Sequence, residues 1–188
     1  RAAHLCGSQY LCITAANACF DEPKQKLMEY CIENLNDLVK VAEEENVILL
    51  LGTVMGMDSP CNASTPIVLT VDEVAEIIEQ IGSSYLAAYA DTQVLSIRGE
   101  SLTDWFDRLG EKVRLVRFTD GNYNGYRIWG KGVLPAEKLA EEIYRTGFNG
   151  LISFQIPGER YCENPKDAQK QNHFRALSAW REVMDCQR

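Results

Sequence analysis

The sequence predicts an α/β protein organised around a parallel sheet, and three observations carry that reading. Short apolar runs of strand length recur along the chain, stretches with helical periodicity separate them, and polar residues collect where the runs end. The clearest instance is 113–156, VRLVRFTDGNYNGYRIWGKGVLPAEKLAEEIYRTGFNGLISFQI. It reads as a strand, a Gly-rich loop, an amphipathic helix and a second strand ending at Gln155. Parallel neighbours need such a crossover.

Taken in order, residues 1–6 look like the last turns of a helix closed by Gly7 at a left-handed stop. A strand is expected at 10–14 and a helix over 24–45. Pro23 suits the start of that helix, and Leu27, Cys31, Leu35, Leu38 and Ala42 form its apolar face. The continuous apolar run 47–51 suits a strand buried on both faces. After a long loop, a helix over 71–81 opens on Thr70, with Glu73 completing a capping box. Residues 85–89 form the third strand, which ends at Asp91. Ser101 caps a short helix to Leu109, with Asp104 three positions on. A strand at 113–118, a helix over 135–146 and a strand at 151–156 follow. The last helix, 165–184, sets Phe174, Leu177, Trp180 and Met184 at core spacing. Leu49, Leu51, Tyr85, Leu115, Val116, Ile152 and Phe154 are the expected buried strand residues. Five units do not close a barrel of this architecture, which takes eight strands.

The chain has 188 residues, enough for one domain with a substantial core, and 1–188 reads as a single domain. No apolar run approaches the roughly 20 residues of a membrane helix, which argues against membrane insertion. A net charge of −8 argues against a nucleic-acid surface. Seven cysteines without a C-x-x-C pair fit a reduced, cytoplasmic protein better than a zinc or disulfide framework. Asn62-Ala63-Ser64 matches a glycosylation sequon, a pattern short enough to arise by chance. Arg1 is not an initiator Met, so the chain reads as a fragment or a cleavage product. The strand at 10–14 is then expected to pair with upstream strands, another chain or a symmetry mate.

The strand ending Thr119-Asp120, the Gly130-Lys131-Gly132 loop and the phrase Gly147-Phe148-Asn149-Gly150-Leu151 resemble the last third of the xylose-isomerase-like TIM barrels. That superfamily holds sugar isomerases and epimerases, the tagatose and psicose 3-epimerases among them. The resemblance implies that the five units are the fourth to eighth of a barrel, so that this chain is the C-terminal part of one. It further implies a mouth at the carboxyl ends of the strands, where the family holds a divalent metal with Glu, Asp, His and Glu. Carried over residue by residue, those positions are Gly52, Asp91, Arg117 and Gln155, and Val94 stands where a substrate-facing His is common. Asp91 is the only retained ligand. A guanidinium has no lone pair and stays protonated, so Arg117 repels a metal rather than binding one. No cofactor is therefore expected.

Arg117 is expected to occupy the vacated metal position and pair with Asp91, the alternatives being Asp120 or solvent. Gly52 is expected to leave room at the floor of the mouth. Restoring Gly52→Glu, Arg117→His and Gln155→Glu together is then expected to create affinity for manganese or cobalt. Asp91 and Asp120 are the candidate catalytic carboxylates. Arg117, Gln155, Arg127, Trp129 and Arg160 are the candidates for contacting a small polar ligand such as a sugar. The Gly130-Lys131-Gly132 loop reads as a tight turn or as a wrap around an anion. His4 and His173 fall on helices away from the strand ends and read as surface or packing residues.

Three functions remain open on this reading. One is a sugar or sugar-phosphate isomerase or epimerase homologue whose metal-dependent activity is lost. Another is a non-catalytic protein that binds a carbohydrate or a partner. The third is a metal-independent lyase or hydrolase using Asp91 or Asp120 as base.

Overall fold

The computed structural model describes residues 1–15, 17–18, 22–54 and 65–186. Cys19, Cys61 and the sequon at Asn62 lie outside them. The chain divides into two compact units, Arg1–Tyr89 with Arg108–Arg114, and Ala90–Asp107 with Leu115–Arg188.

The first unit holds α1 (Ala2–Leu5), β1 (Tyr10–Thr14), β2 (Asn17–Ala18), α2 (Lys24–Glu44), β3 (Ile48–Gly52), β4 (Thr65–Pro66), α3 (Val71–Ile81) and β5 (Leu86–Asp91) as far as Tyr89. β1 runs parallel to β3 with Tyr10 opposite Ile48, and β3 runs parallel to β5 with Leu49 opposite Leu86. Short β2 and β4 pair antiparallel. Leu49, Leu50 and Leu51 are buried, as are Val74, Ile77 and Ile78 of α3. The Thr70–Glu73 capping box forms as expected, and Gly82 ends α3 at φ 64°. Gly7 likewise adopts φ 67° after α1. His4 is exposed and its ring Nδ1 lies 2.9 Å from the Glu45 carbonyl, a surface role for the first histidine.

The second unit takes the end of β5, α4 (Thr92–Arg98), most of α5 (Leu102–Leu109), and β6 (Val113–Arg117) from Leu115 onward. It continues through β7 (Asp120–Asn122), β8 (Gly125–Arg127), α6 (Ala136–Arg145), β9 (Leu151–Ser153) and α7 (Pro165–Asp185). β6 and β9 are parallel with Leu115 opposite Leu151, while β7 and β8 form an antiparallel hairpin. The parallel strand order is thus β1-β3-β5 on the first unit's side and β6-β9 in the second. Ser101 and Asp104 exchange hydrogen bonds at the start of α5, as their spacing predicts. Among the described residues no helix is long and apolar enough to cross a membrane.

Several expected core residues are misplaced, for geometric reasons. In α2 the buried stripe is Leu35, Val39 and Ala42, and Leu38 is exposed because the stripe advances by four residues after Leu35. In α7 the buried residues are Ala168, Asn172, Ala176, Ala179 and Val183. Phe174 is 70% and Met184 53% exposed, so large side chains misled where small ones set the close-packed face. Tyr85 precedes β5 and is half-buried. The final strand is three residues long, with a neighbour on one side only in the sheet order. Ile152 is accordingly half-buried, and Phe154, past the end of the strand, is 36% exposed.

Candidate functional site

The second unit gathers its polar side chains around the end of β5. Asp91 is both the last residue of that strand and the N-cap of α4, accepting from the backbone N–H groups of Gln93 (3.1 Å) and Val94 (3.4 Å) on Oδ1. The same oxygen accepts from the Thr119 hydroxyl at 2.7 Å. Oδ2 accepts from the Tyr126 hydroxyl at 2.8 Å and lies 3.7 Å from Nη1 of Arg117. The expected Arg117–Asp91 pairing is therefore present, with the Arg117 side chain 23% exposed. Thr92 ties the neighbouring strand end into this cluster, donating to the Thr119 carbonyl at 2.6 Å and accepting from the Thr119 N–H at 2.8 Å.

Asp91 is almost wholly buried, and burial pushes its carboxyl pKa up. The hydroxyls of Thr119 and Tyr126, the Arg117 charge and the Val94 amide work in the opposite direction. With its folded pKa raised, the carboxyl binds more protons folded than unfolded, in a window above the ordinary carboxylate range. Stability therefore falls as pH rises through that window and is unaffected below it. Asp91→Asn is expected to flatten this slope in urea titrations across pH. It is also expected to cost about 1–3 kcal/mol, because an amide Nδ2 would face the Arg117 and Tyr126 donors. An unchanged slope in the variant would show that Asp91 does not govern it.

Asp120 anchors the loop that follows it. It is buried, and its carboxylate accepts four backbone N–H groups: Gly121 (2.7 Å), Gly130 (2.9 Å), Gly132 (2.9 Å) and Leu134 (3.1 Å). These donors occupy the lone-pair positions a carboxylate offers. The Gly130-Lys131-Gly132 loop does wrap an anion, and that anion is the chain's own Asp120. A Cβ at Gly132 would lie 2.1 Å from Asp120 Oδ1, which accounts for the second glycine. Asp91 accepts three hydrogen bonds on Oδ1 and one on Oδ2.

The remaining candidates separate. Successive side chains of β8 point to opposite faces, so Tyr126 reaches Asp91 while Arg127 turns away into another cavity. Trp129, expected at the mouth, is interior: it is 4% exposed, stacks on Phe118 at 4.4 Å and donates from its indole N–H to the Phe118 carbonyl. Arg160 donates to the Asn124 carbonyl on the hairpin turn. Gln155, past the end of β9, is half-buried and is not among the groups that bind Asp91. His173 packs edge-on against Phe154. In the first unit, Gly52 does not leave room. A Cβ there would lie 2.4 Å from the ring of Tyr89, whose side chain fills the space.

Of the ligand positions carried over into this unit, Asp91 offers a carboxylate, Gln155 a neutral amide and Arg117 a guanidinium, which has no lone pair for a metal. Of the two hydroxyls that hold Asp91, Thr119 entered the sequence reading only as a strand end, and Tyr126 not at all. Asn124-Gly125 was the available signal, since that dipeptide marks a tight hairpin and so places Tyr126 in a strand. The helix α4 was also missed. Its signals are Asp91 as N-cap and Gly99 at φ 72° seven residues after Thr92.

A family model described as xylose isomerase-like TIM barrel matches residues 1–180. The chain is 26% identical over 174 residues to fructoselysine 3-epimerase of Escherichia coli O157:H7, covering 89% of this chain and 60% of that one. It is 23% identical over 147 residues to D-psicose 3-epimerase of Enterocloster bolteae, covering 78% and 46%. A solved D-tagatose 3-epimerase-like protein matches with a TM-score of 0.80 at 16% identity, over 99% of this chain and 67% of that one. The IOLI protein, solved with a bound zinc atom, matches with a TM-score of 0.79 at 14% identity, over 96% and 66%. At such identities the structural likeness establishes the fold. The chain thus spans about 60% of the length of the fructoselysine epimerase.

Proposed function

The chain belongs to the xylose isomerase-like TIM barrel family, and from that premise we propose that it is a sugar isomerase or epimerase homologue whose Asp91 mouth binds a polyhydroxylated ligand without the metal-dependent reaction. The observation that carries this reading is the Arg117–Asp91 pair at 3.7 Å, which puts a fixed cation beside the one acidic ligand position the sequence retains. Support also comes from the internal hydrogen bonds that engage Asp91 and Asp120, the two candidate carboxylates, and compete with their use as bases for moving a proton on a sugar carbon. The side chain of Arg117 is 23% exposed, and a guanidinium is a hydrogen-bond donor only, suited to hydroxyl oxygens, with Gln155 as a second polar group. A cytoplasmic setting belongs to the same reading, supported by the free thiols of Cys6, Cys31, Cys162 and Cys186.

The test combines binding with turnover. D-psicose and D-tagatose are titrated calorimetrically into the protein with and without chelator, and exchange of the substrate carbon-bound proton is followed in D2O with added manganese, cobalt or zinc. Ketose binding indifferent to chelator, weakened roughly 10-fold (about 1.4 kcal/mol) in Arg117→Ala, with no proton exchange, is the expected result. Stoichiometric metal with exchange that is lost in Asp91→Asn would overturn it. Arg117→His alone is expected to restore no activity.

A further inference from the structure

The hairpin has a second face. Arg127 lines a cavity of about 570 Å³ together with Asn122, Lys131, Tyr161, Asp167 and Gln171. In the hairpin register Arg127 sits directly opposite Asp120, the cross-strand position where a counterion would ordinarily be supplied. Asp120, however, is committed to four backbone amides of the neighbouring loop. Arg127 is left half-buried without its natural partner. Among the described residues neither Arg127 nor Lys131 forms an ion pair. A guanidinium carries five N–H donors in a planar fork and an ammonium three, so this concavity presents donors far in excess of acceptors. The one acid in the lining, Asp167, already accepts from the Asn164 side-chain amide at 2.6 Å in the first turn of α7.

We propose that this cavity is an oxyanion site, taking the phosphate monoester or carboxylate of a small metabolite on Arg127 and Lys131. The site lies on the opposite face of β8 from Tyr126 and Asp91, and it stands whatever the Asp91 mouth binds. The chain as a whole carries a charge of −8, so long-range attraction does not favour an anion. Binding must then come from these local donors, and it is expected to weaken with added salt.

The experiment titrates inorganic phosphate and, separately, gluconate into the protein, following backbone amide shifts by NMR. Three proteins are compared: wild type, Arg127→Gln/Lys131→Gln, and a control, Lys112→Gln/Lys138→Gln, that removes two exposed charges elsewhere. Saturable shifts at Asn122, Lys131 and Tyr161 are expected in wild type and control, with affinity reduced at least about 10-fold in the Arg127/Lys131 variant. The folded spectrum of that variant, recorded without anion, separates loss of the site from loss of the fold. Phosphate binding alone identifies a phosphate ester as the ligand group, and gluconate binding alone a carboxylate. Equal affinity in all three proteins, or saturable binding of neither anion at low-millimolar concentration, would overturn the assignment.

Discussion

Asp120→Ala is expected to lower stability by about 3–5 kcal/mol, the scale seen when one partner of a buried charged interaction is removed. The reason is the convergence of four backbone N–H groups, from Gly121, Gly130, Gly132 and Leu134, on one carboxylate. A hydrogen bond to a charged acceptor is worth roughly 1.5–3 kcal/mol, and four that share one acceptor are not additive. Deletion leaves those donors unpaired in a loop whose two glycines hold it tightly around the lost group. For a chain of this size the midpoint of thermal unfolding should fall by roughly 10 °C or more. Asp120→Asn keeps one carbonyl oxygen, presents an N–H2 to the other donors, and should fall between. A midpoint for Asp120→Ala within about 2 °C of wild type would refute the cradle as a stabilising element.

Gly52→Ala should cost about 2–3 kcal/mol, at the upper end of what overpacking exacts. The new Cβ would lie 2.4 Å from two ring carbons of Tyr89, which is itself buried. Tyr89→Ala alone should cost about 3–5 kcal/mol, as a large aromatic leaves a cavity. The double variant should be no less stable than Tyr89→Ala alone, giving a coupling of about 2 kcal/mol between the positions. Additivity to within about 0.5 kcal/mol in urea titrations would show that the ring moves aside freely. The same collision bears on metal design. Gly52→Glu begins at that Cβ, so the triple restoration expected from the sequence cannot succeed while Tyr89 is in place.

The two glycines that matter most illustrate what was legible. Gly52 could be located, since it ends a continuous apolar run, but its role could not. Tyr89 comes to lie against it only because β3 and β5 pair in the register Leu51 to Ala88. Tertiary pairing of that kind has no local signature. The strands, the capped helices at Thr70 and Ser101, and the Arg117–Asp91 pair were all accessible, because each follows from short-range chemistry or from the family pattern. The use of Asp120 was not accessible, as its partners are main-chain groups up to 14 residues downstream. In α7 the large apolar Phe174 and Met184 share the core spacing but are exposed, because the small Ala176 and Ala179 form the buried face. Trp129 follows the same logic, since an aromatic in a Gly-rich loop suggests a ligand platform until Phe118 is found beneath it.

The cation beside Asp91 is part of the chain, and this changes how the carboxylate responds to its surroundings. An ion drawn from solution stabilises a protein in proportion to the logarithm of its free concentration, and withdraws that support on dilution or chelation. Arg117 has no free concentration. Its charge is present whenever the strand ends are assembled and is kept at any pH a cell experiences, since a guanidinium does not deprotonate there. The positive charge that faces Asp91 therefore arrives with folding itself.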